Sequence, residues 1–305
     1  MKDVRSQLQT ALGAAYLFER ELGGGGMARV FVARDAAVGR RIVVKALPPD
    51  LWIGVDVPHF RRQVELLATL QHPLIVPLLG AGQAGDFLYY TMPFVTDDSL
   101  RAKLRREGAL PLPEALRLTH DVAEALAYAH RHGVVHRDIK PEHIFLAAGR
   151  ALVSDCGVAQ ALGAGSGPGP LTSARLALGT PAYMAPEQLS GGPATDQRAD
   201  VYALGALAYE VLTGNPPFRG GSPHAVLAAH SAERPVPVVQ RRPEVPRALA
   251  ELVTRCLEKH PADRPQSAEE VLAALDALDR SGAGLRPKGL VQRVKALLGA
   301  LRRAT

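Results

Sequence analysis

The spacing of apolar residues changes character near Pro113. Before it, short apolar stretches separated by turn residues predict strands over 22–33, 41–46 and 87–95. One helix is predicted among them over 58–70, because four apolar residues recur there at helical spacing: Phe60, Val64, Leu67 and Leu70. The first part of the chain is therefore predicted to be rich in strands, with one main helix.

After Pro113 the apolar positions follow the period of an α-helix. One apolar stripe extends from Ala115 to Ala129, and a second segment, 201–212, is almost wholly apolar. Two further helices are predicted over 249–257 and 268–278. Strands first and helices afterwards form an α+β pattern, which predicts a small β-rich lobe followed by a larger helical lobe.

The composition fits this picture. With 47% hydrophobic and 22% charged residues, the chain has the make-up of a folded globular protein. Its two cysteines, Cys156 and Cys256, lie far apart, which predicts a reducing compartment and no disulfide framework. The first twenty residues lack the apolar core of a secretory signal, and no apolar run is long enough to span a membrane. We therefore expect a cytoplasmic protein.

The net charge of +6 is concentrated at the C-terminal end. From Ser281 onward there are no acids and six basic residues, so the main body is balanced and nucleic-acid binding is not expected. Over 288–303, apolar residues share one helical face with basic residues around it. This pattern predicts an amphipathic helix that lies on an anionic membrane, docks on a partner or packs back on the large lobe. The protein would then be free in the cytoplasm or peripheral to the inner face of the membrane.

A run of glycines is the first candidate for chemistry. It consists of Gly23, Gly24, Gly25 and Gly26, at the start of the first β-rich stretch. Glycines let the backbone approach a polyphosphate, although an ordinary loop can have the same composition. Lys45 lies in the next apolar strand, where strand pairing would bring its ammonium group under the glycines. A lysine that extends its head to solvent is the alternative.

A charged segment follows the first long helix. Asp138 can accept a proton, and Lys140, two residues later, can neutralise a transferring phosphoryl group. The preceding Val134-Val135 predicts a short strand from which this loop projects.

Two further groups could hold a metal ion. Asp155 follows the apolar stretch 151–153 and stands two residues before Gly157, which suits a Mg²⁺ ligand at a hinge, although a simple turn is favoured for this tripeptide taken alone. Three histidines lie close together in sequence: His130, His132 and His136. Because they straddle a helix end, ordinary helix-terminal histidines are favoured over a metal site.

Taken in order, these segments resemble the serine/threonine protein kinases of the bacterial, eukaryotic-like type. The glycine run and Lys45 are followed by His136-Arg137-Asp138, Asp155-Cys156-Gly157 and Ala185-Pro186-Glu187. The resemblance extends from about Tyr16 to Leu278 and implies a bilobal protein-kinase fold. It divides the chain into an N-terminal extension 1–15, a small lobe 16–95, a large lobe 96–280 and a tail 281–305.

The resemblance also implies a reaction and a set of roles. The reaction is transfer of the γ-phosphoryl group of ATP to Ser or Thr hydroxyls of protein substrates, including the kinase itself, with Mg²⁺ or Mn²⁺ as the metal. Asp138 would be the base, Lys140 the charge stabiliser and Asp155 the principal metal ligand. The nucleotide would contact Leu22, Gly23, Gly24, Gly25, Gly26, Val30, Lys45, Met92, Val95 and Asp98. A structural ion pair between Glu187 and Arg264 is also implied. Thr172 and Ser173 would lie in the activation segment, either as phosphorylation sites or as ordinary loop hydroxyls.

Four positions depart from the kinase pattern. Gln63 stands where a helix Glu should pair with Lys45, and Glu65 would point to another side of the helix. His143 stands where an Asn should hold a second metal ion, and imidazole suits Mn²⁺ better than Mg²⁺. The other two changes are Cys156 for a Phe and Ala28 for the third glycine.

These departures leave two interpretations open. Lys45, Asp138 and Asp155 remain, which favours an enzyme. The loss of both the Glu and the Asn favours a pseudokinase that acts as a nucleotide-binding or scaffold protein.

Overall fold

The computed structural model describes residues 4–22, 28–49, 52, 55–163, 181–189, 195–278 and 280. Three of the predicted features lie outside the described residues: the glycine run, the phosphorylation candidates Thr172 and Ser173, and the basic tail.

Five strands form an antiparallel sheet in the order β1-β2-β3-β5-β4. They are β1 Tyr16–Glu21, β2 Arg29–Asp35, β3 Arg41–Leu47, β4 Gly80–Ala84 and β5 Phe87–Pro93. Lys45 on the central strand β3 is paired directly with Val30 on β2 and with Tyr90 on β5. Directly opposed residues project from the same face of a sheet, so these three side chains share one face.

The opposite face of this sheet is covered by a helix that the sequence analysis missed. Helix α1, Val4–Leu12, buries Leu8 completely in a cluster with Phe18, Phe31 and other residues of the sheet. The Arg5 guanidinium donates to the Phe18 carbonyl at 2.7 Å, so α1 is also joined to β1 by polar contacts. The expectation of one helix among the strands was wrong here, because α1 is mostly polar and Leu8 is its only fully buried residue.

Helix α2, Val57–Leu67, is the predicted helix of the first part, although it ends three residues earlier than predicted. Its buried face consists of Phe60, Val64 and Leu67, and it packs against β4. Glu65 is exposed, whereas Gln63 is half-buried.

The remainder of the described chain is mainly helical. The helices are α3 Leu100–Glu107, α4 Leu112–Arg131, α5 Val158–Ala161, α6 Pro186–Leu189, α7 Arg198–Thr213, α8 Pro223–Ala232, α9 Val238–Arg241, α10 Arg247–Cys256 and α11 Ala268–Leu278. A short ladder, β6 Ile144–Ala147 with β7 Arg150–Val153, lies between α4 and α5 in the chain. The helix predicted over 201–212 is the core of α7, which is buried from Ala199 to Leu212. The predicted α+β order is confirmed.

The strand predicted at Val134-Val135 is absent from the structure, which was a wrong prediction. The Val134 amide donates to the carbonyl of Ala129 at 3.0 Å, and the Val135 amide donates to the Gln160 side chain at 2.9 Å. Their backbone groups are thus satisfied by a helix end and a side chain rather than by a neighbouring strand. In the described part of the chain, no helix has both the length and the apolar character that crossing a membrane requires.

Candidate active site

The fold brings the sequence-predicted polar residues together between the sheet and the helices. Lys45 comes from β3, Asp138 and Lys140 from the loop after α4, and Asp155 from the end of β7. His143 ends the short 3₁₀ turn Pro141–His143. The Lys45 ammonium lies 2.6 Å from the Asp155 carboxylate, and the Lys140 ammonium lies 2.7 Å from the Asp138 carboxylate.

The loop that carries Asp138 is held by a buried acid on α7. The Asp200 carboxylate accepts hydrogen bonds from the backbone amides of His136 and Arg137, both at 2.7 Å. It also lies 2.9 Å from Nε2 of His130. Arg137 has a φ of 65°, a left-handed backbone that a non-glycine residue adopts only when its surroundings impose it. This role of Asp200 was not predicted, although an acid directly before the almost wholly apolar segment 201–212 was its signal.

The three neighbouring histidines have separate partners. His130 contacts Asp200, and Nδ1 of His132 lies 2.8 Å from the carbonyl of Tyr128. His136 is buried, with Nε2 placed 2.8 Å from the Ser154 carbonyl. Among the described residues, therefore, these histidines do not converge on a metal site. His136 instead joins the loop that carries Asp138 to the residue before Asp155.

The Asp155 carboxylate is the most heavily contacted group of the site. Besides Lys45, it accepts hydrogen bonds from the Tyr90 hydroxyl at 2.7 Å and from the Ser154 hydroxyl at 2.9 Å. Burial by itself would raise the pKa of Asp155. The charge of Lys45 and the hydrogen bonds that the Asp155 carboxylate accepts hold that pKa well below its usual range. Asp155 is therefore ionised. The sequence analysis did not single out Tyr90; its signal was a tyrosine one strand away from Lys45 in a buried stretch.

His143 faces both acids of the site. Its Nδ1 lies 2.9 Å from the backbone carbonyl of Asp138, and its Nε2 lies 3.4 Å from Oδ2 of Asp155. Burial lowers the pKa of His143 well below the usual value, so the ring is neutral. A carbonyl only accepts hydrogen bonds, so the single ring proton belongs on Nδ1, and Nε2 presents its lone pair to Asp155.

Two acceptor atoms thus face each other across 3.4 Å. Such a pair can accommodate a cation, and an imidazole nitrogen with a carboxylate oxygen is an ordinary pair of ligands for a divalent transition metal. The residues present therefore fit a metal ion whose ligands include His143 and Asp155.

Two other departures from the kinase pattern, Gln63 on α2 and Cys156, can be compared with the structure. Within the described residues, Lys45 forms its ion pair with Asp155 and not with a side chain of α2. Cys156 is buried, and burial raises the pKa of its thiol. The thiol is accordingly a small core group rather than a nucleophile.

An apolar cluster beside β3 contains four of the residues expected to contact the nucleotide. Leu22, Val30, Met92 and Val95 pack with Val43, Val76 and Leu152. Asp98, which was also expected to contact the nucleotide, is exposed and pairs with Arg106 at 2.9 Å. The roles of these residues stay predictions.

Two further clusters of ion pairs lie in the helical part of the chain. Arg101 on α3 donates to Glu142, next to His143, and to Glu210 on α7, each at 2.8 Å. Glu187 and Arg264 form a two-bond ion pair at 2.6 and 2.8 Å, in which Arg264 is buried. The structure thus brings together the pair that the family resemblance implied, whereas sequence reasoning missed the Arg101 cluster.

Comparison with known proteins decides the family. The family described as the protein kinase domain matches residues 16–274. The chain belongs to the protein kinase domain family. The kinase PknB of Mycolicibacterium smegmatis is 38% identical over 275 residues, covering 88% of this chain and 44% of that protein. PknB of Mycobacterium tuberculosis strain H37Rv is 38% identical over 260 residues, which cover 83% of this chain and 41% of that protein. The kinase pkn2 of Myxococcus xanthus is 35% identical over 275 residues, which cover 88% of this chain and 33% of that protein.

The chain thus spans less than half the length of these serine/threonine-protein kinases. Among solved structures, Rad53 1-466 in complex with AMP-PNP has a TM-score of 0.70 at 23% identity, covering 88% of this chain and 66% of that chain. The bilobal protein-kinase fold is confirmed by this likeness. Membership of the kinase family implies ATP and a divalent metal ion.

Proposed function

We propose that this kinase domain transfers the γ-phosphoryl group of ATP to Ser and Thr hydroxyls of proteins, its own included. The observation that carries the proposal is the cluster of Lys45, Asp138 and Asp155, which couples a phosphate-binding ammonium, a base and a metal ligand. The serine/threonine kinases at 35–38% identity support the same reaction.

In this reaction Asp138 accepts the proton of the substrate hydroxyl. The hydroxyl oxygen forms a bond to the γ-phosphorus while the bond from that phosphorus to the bridging oxygen breaks, and ADP leaves with that electron pair. Burial raises the pKa of Asp138, and the neighbouring Lys140 partly offsets this rise. A carboxylate with a raised pKa is a better base than a free one. Lys140 also offers positive charge beside the transferring group.

We assign one divalent ion to Asp155 and His143, with Mn²⁺ preferred over Mg²⁺. Mg²⁺ favours oxygen ligands in a near-ideal octahedron, whereas a mixed nitrogen and oxygen pair suits a transition metal better. When bound, the ion supplies positive charge that neutralises the phosphates. Lys45 would then exchange its contact with Asp155 for the nucleotide phosphates, and the apolar cluster around Met92 would receive the adenine.

The pseudokinase alternative rests on Gln63 and His143. We favour the enzyme because His143 replaces one ligand by another that can still bind a metal ion, and because Lys45 retains an acidic partner without the helix Glu. Contact of the 288–303 tail with a membrane or a partner, and a cytoplasmic location, stay predictions.

The experiment is incubation with γ-labelled ATP, followed by analysis of which amino acids carry the label. We expect label on Ser or Thr in the unmodified protein, and a loss of at least a hundredfold in the rate with Asp138→Asn, because base catalysis contributes about 10²–10⁴-fold. Equal labelling of both proteins would contradict the proposal.

A further inference from the structure

Tyr90 is a buried tyrosine whose hydroxyl points into the site. It is 5% exposed, and its ring belongs to the main hydrophobic core. Its direct pairing with Lys45 on β3 sends both side chains to the same face of the sheet. The Tyr90 hydroxyl reaches Oδ1 of Asp155 at 2.7 Å, while Lys45 reaches Oδ2 at 2.6 Å. The two oxygens of one carboxylate are thus held by neighbouring residues of two paired strands.

The direction of the Tyr90 contact follows from chemistry. Asp155 is ionised and can only accept hydrogen bonds. A phenol has an ordinary pKa of about 10, so it keeps its proton at neutral pH and donates to the carboxylate 2.7 Å away. Tyr90 is therefore a permanent, neutral donor to Oδ1.

The other contacts of Asp155 converge on Oδ2. Lys45, Ser154 and the Nε2 atom of His143 all lie within 3.4 Å of that oxygen. Oδ1, by contrast, has Tyr90 as its hydrogen-bond donor among the described residues. The carboxylate is consequently oriented, with Oδ2 turned toward His143 and Oδ1 turned toward β5.

We propose that Tyr90 is a positioning residue for metal binding: by holding Oδ1, it fixes Asp155 so that Oδ2 and His143 Nε2 together bind the single divalent ion. This inference rests on the proposed function, since it concerns the metal of the same site. When Lys45 turns to the nucleotide, Asp155 loses its ion pair and Tyr90 remains as the anchor from the sheet. The anchor does not depend on α2, where Gln63 stands in place of an acid.

The test is a titration of Mn²⁺ into the protein saturated with a non-hydrolysable ATP analogue, with free Mn²⁺ followed by electron paramagnetic resonance. Tyr90→Phe removes one oxygen and keeps the ring in the core. Hydrogen bonds to charged groups contribute enough that we expect the dissociation constant of Mn²⁺ to rise about tenfold. Tyr90→Leu, which keeps an apolar core side chain, should weaken binding to at least the same extent.

Tyr89→Phe is the matched control. Tyr89 is the preceding residue of β5 and packs on the opposite face of the sheet, with the cluster under α1. Its substitution should leave Mn²⁺ binding unchanged. Unchanged binding in Tyr90→Phe, or an equal loss in Tyr89→Phe, would overturn the role of Tyr90 alone. Failure of the unmodified protein to bind Mn²⁺ with the analogue would instead overturn the proposed function.

Discussion

Asp138 and Lys140 form an ion pair at 2.7 Å, and the charge of Lys140 acts on the pKa of Asp138. Burial raises the pKa of Asp138 and Lys140 lowers it, with the rise prevailing. Only the ionised carboxylate can accept the substrate proton, so activity should be lost as the pH falls through this raised pKa. The acid limb of the rate profile is thus expected above the ordinary aspartate value of about 3.9.

Lys140→Met should move that acid limb to still higher pH, because the charge that lowers the Asp138 pKa is removed. The measurement is the labelling rate against pH, each profile scaled to its own maximum. Lys103→Met is the control, since Lys103 pairs with Glu107 and Glu114 on α3 and α4. A limb that stays in place or moves down in Lys140→Met would contradict the assignment of Asp138 as base.

Single residues also show where sequence reasoning stops. Motif spacing identified Lys45, Asp138 and Asp155 as candidates, and the fold places them in one network. Tyr90 could not be identified in this way, because its contact depends on the strand register between β3 and β5. The tautomer of His143 likewise depends on a carbonyl that only the folded loop brings within 2.9 Å.

At the scale of elements, the conformation of the loop that carries Asp138 depends on helix α7. Asp200→Ala would leave the amides of His136 and Arg137 without their buried acceptor. Losing buried partners of this kind costs about 2–4 kcal/mol. We expect that decrease in the free energy of unfolding, measured by urea denaturation, together with a large loss of labelling activity.

Asp196→Ala is the control for this prediction. Asp196 lies just before α7 and pairs at the surface with Arg198. Its loss should cost less than about 1 kcal/mol. Equal costs for the two substitutions would show that Asp200 does not organise the loop.

Helix α1 is the second element whose contribution can be measured. Leu8 is fully buried between α1 and the sheet, so Leu8→Ala should create a cavity and lower the free energy of unfolding by about 2–5 kcal/mol. Leu17→Ala on β1 is the control, because Leu17 is 52% exposed. Urea denaturation of both proteins tests this; a Leu8→Ala cost no larger than that of Leu17→Ala would mean that α1 adds little.

Elements with strong periodicity were predictable, and short or mostly polar ones were not. The almost wholly apolar segment 201–212 identified α7, and the range 268–278 matched α11. Helix α1 and strand β4 were missed, because β4 is rich in glycine and alanine and α1 depends on the sheet beneath it. The prediction of a strand at Val134-Val135 was wrong because two apolar residues alone do not specify a neighbouring strand to pair with.

For the whole molecule, the order of the motifs predicted the fold. Lys45, the loop that carries Asp138, and Asp155 come from separate elements, and the protein-kinase architecture brings them together. The two substitutions Gln63 and His143 placed the activity in doubt. In the folded site, both substitutions bear on the surroundings of Asp155. Lys45 pairs with Asp155 instead of a helix acid, and the neutral imidazole of His143 faces Oδ2 of Asp155.

The most direct test of this account is the initial rate of labelling from γ-labelled ATP in Mn²⁺ and in Mg²⁺, for the unmodified protein and for His143→Asn. We expect the unmodified protein to be about tenfold faster in Mn²⁺ than in Mg²⁺. His143→Asn supplies an oxygen ligand, so it should raise the rate in Mg²⁺ and remove the preference. Absence of transfer in both metals, or a preference unchanged by His143→Asn, would contradict the account.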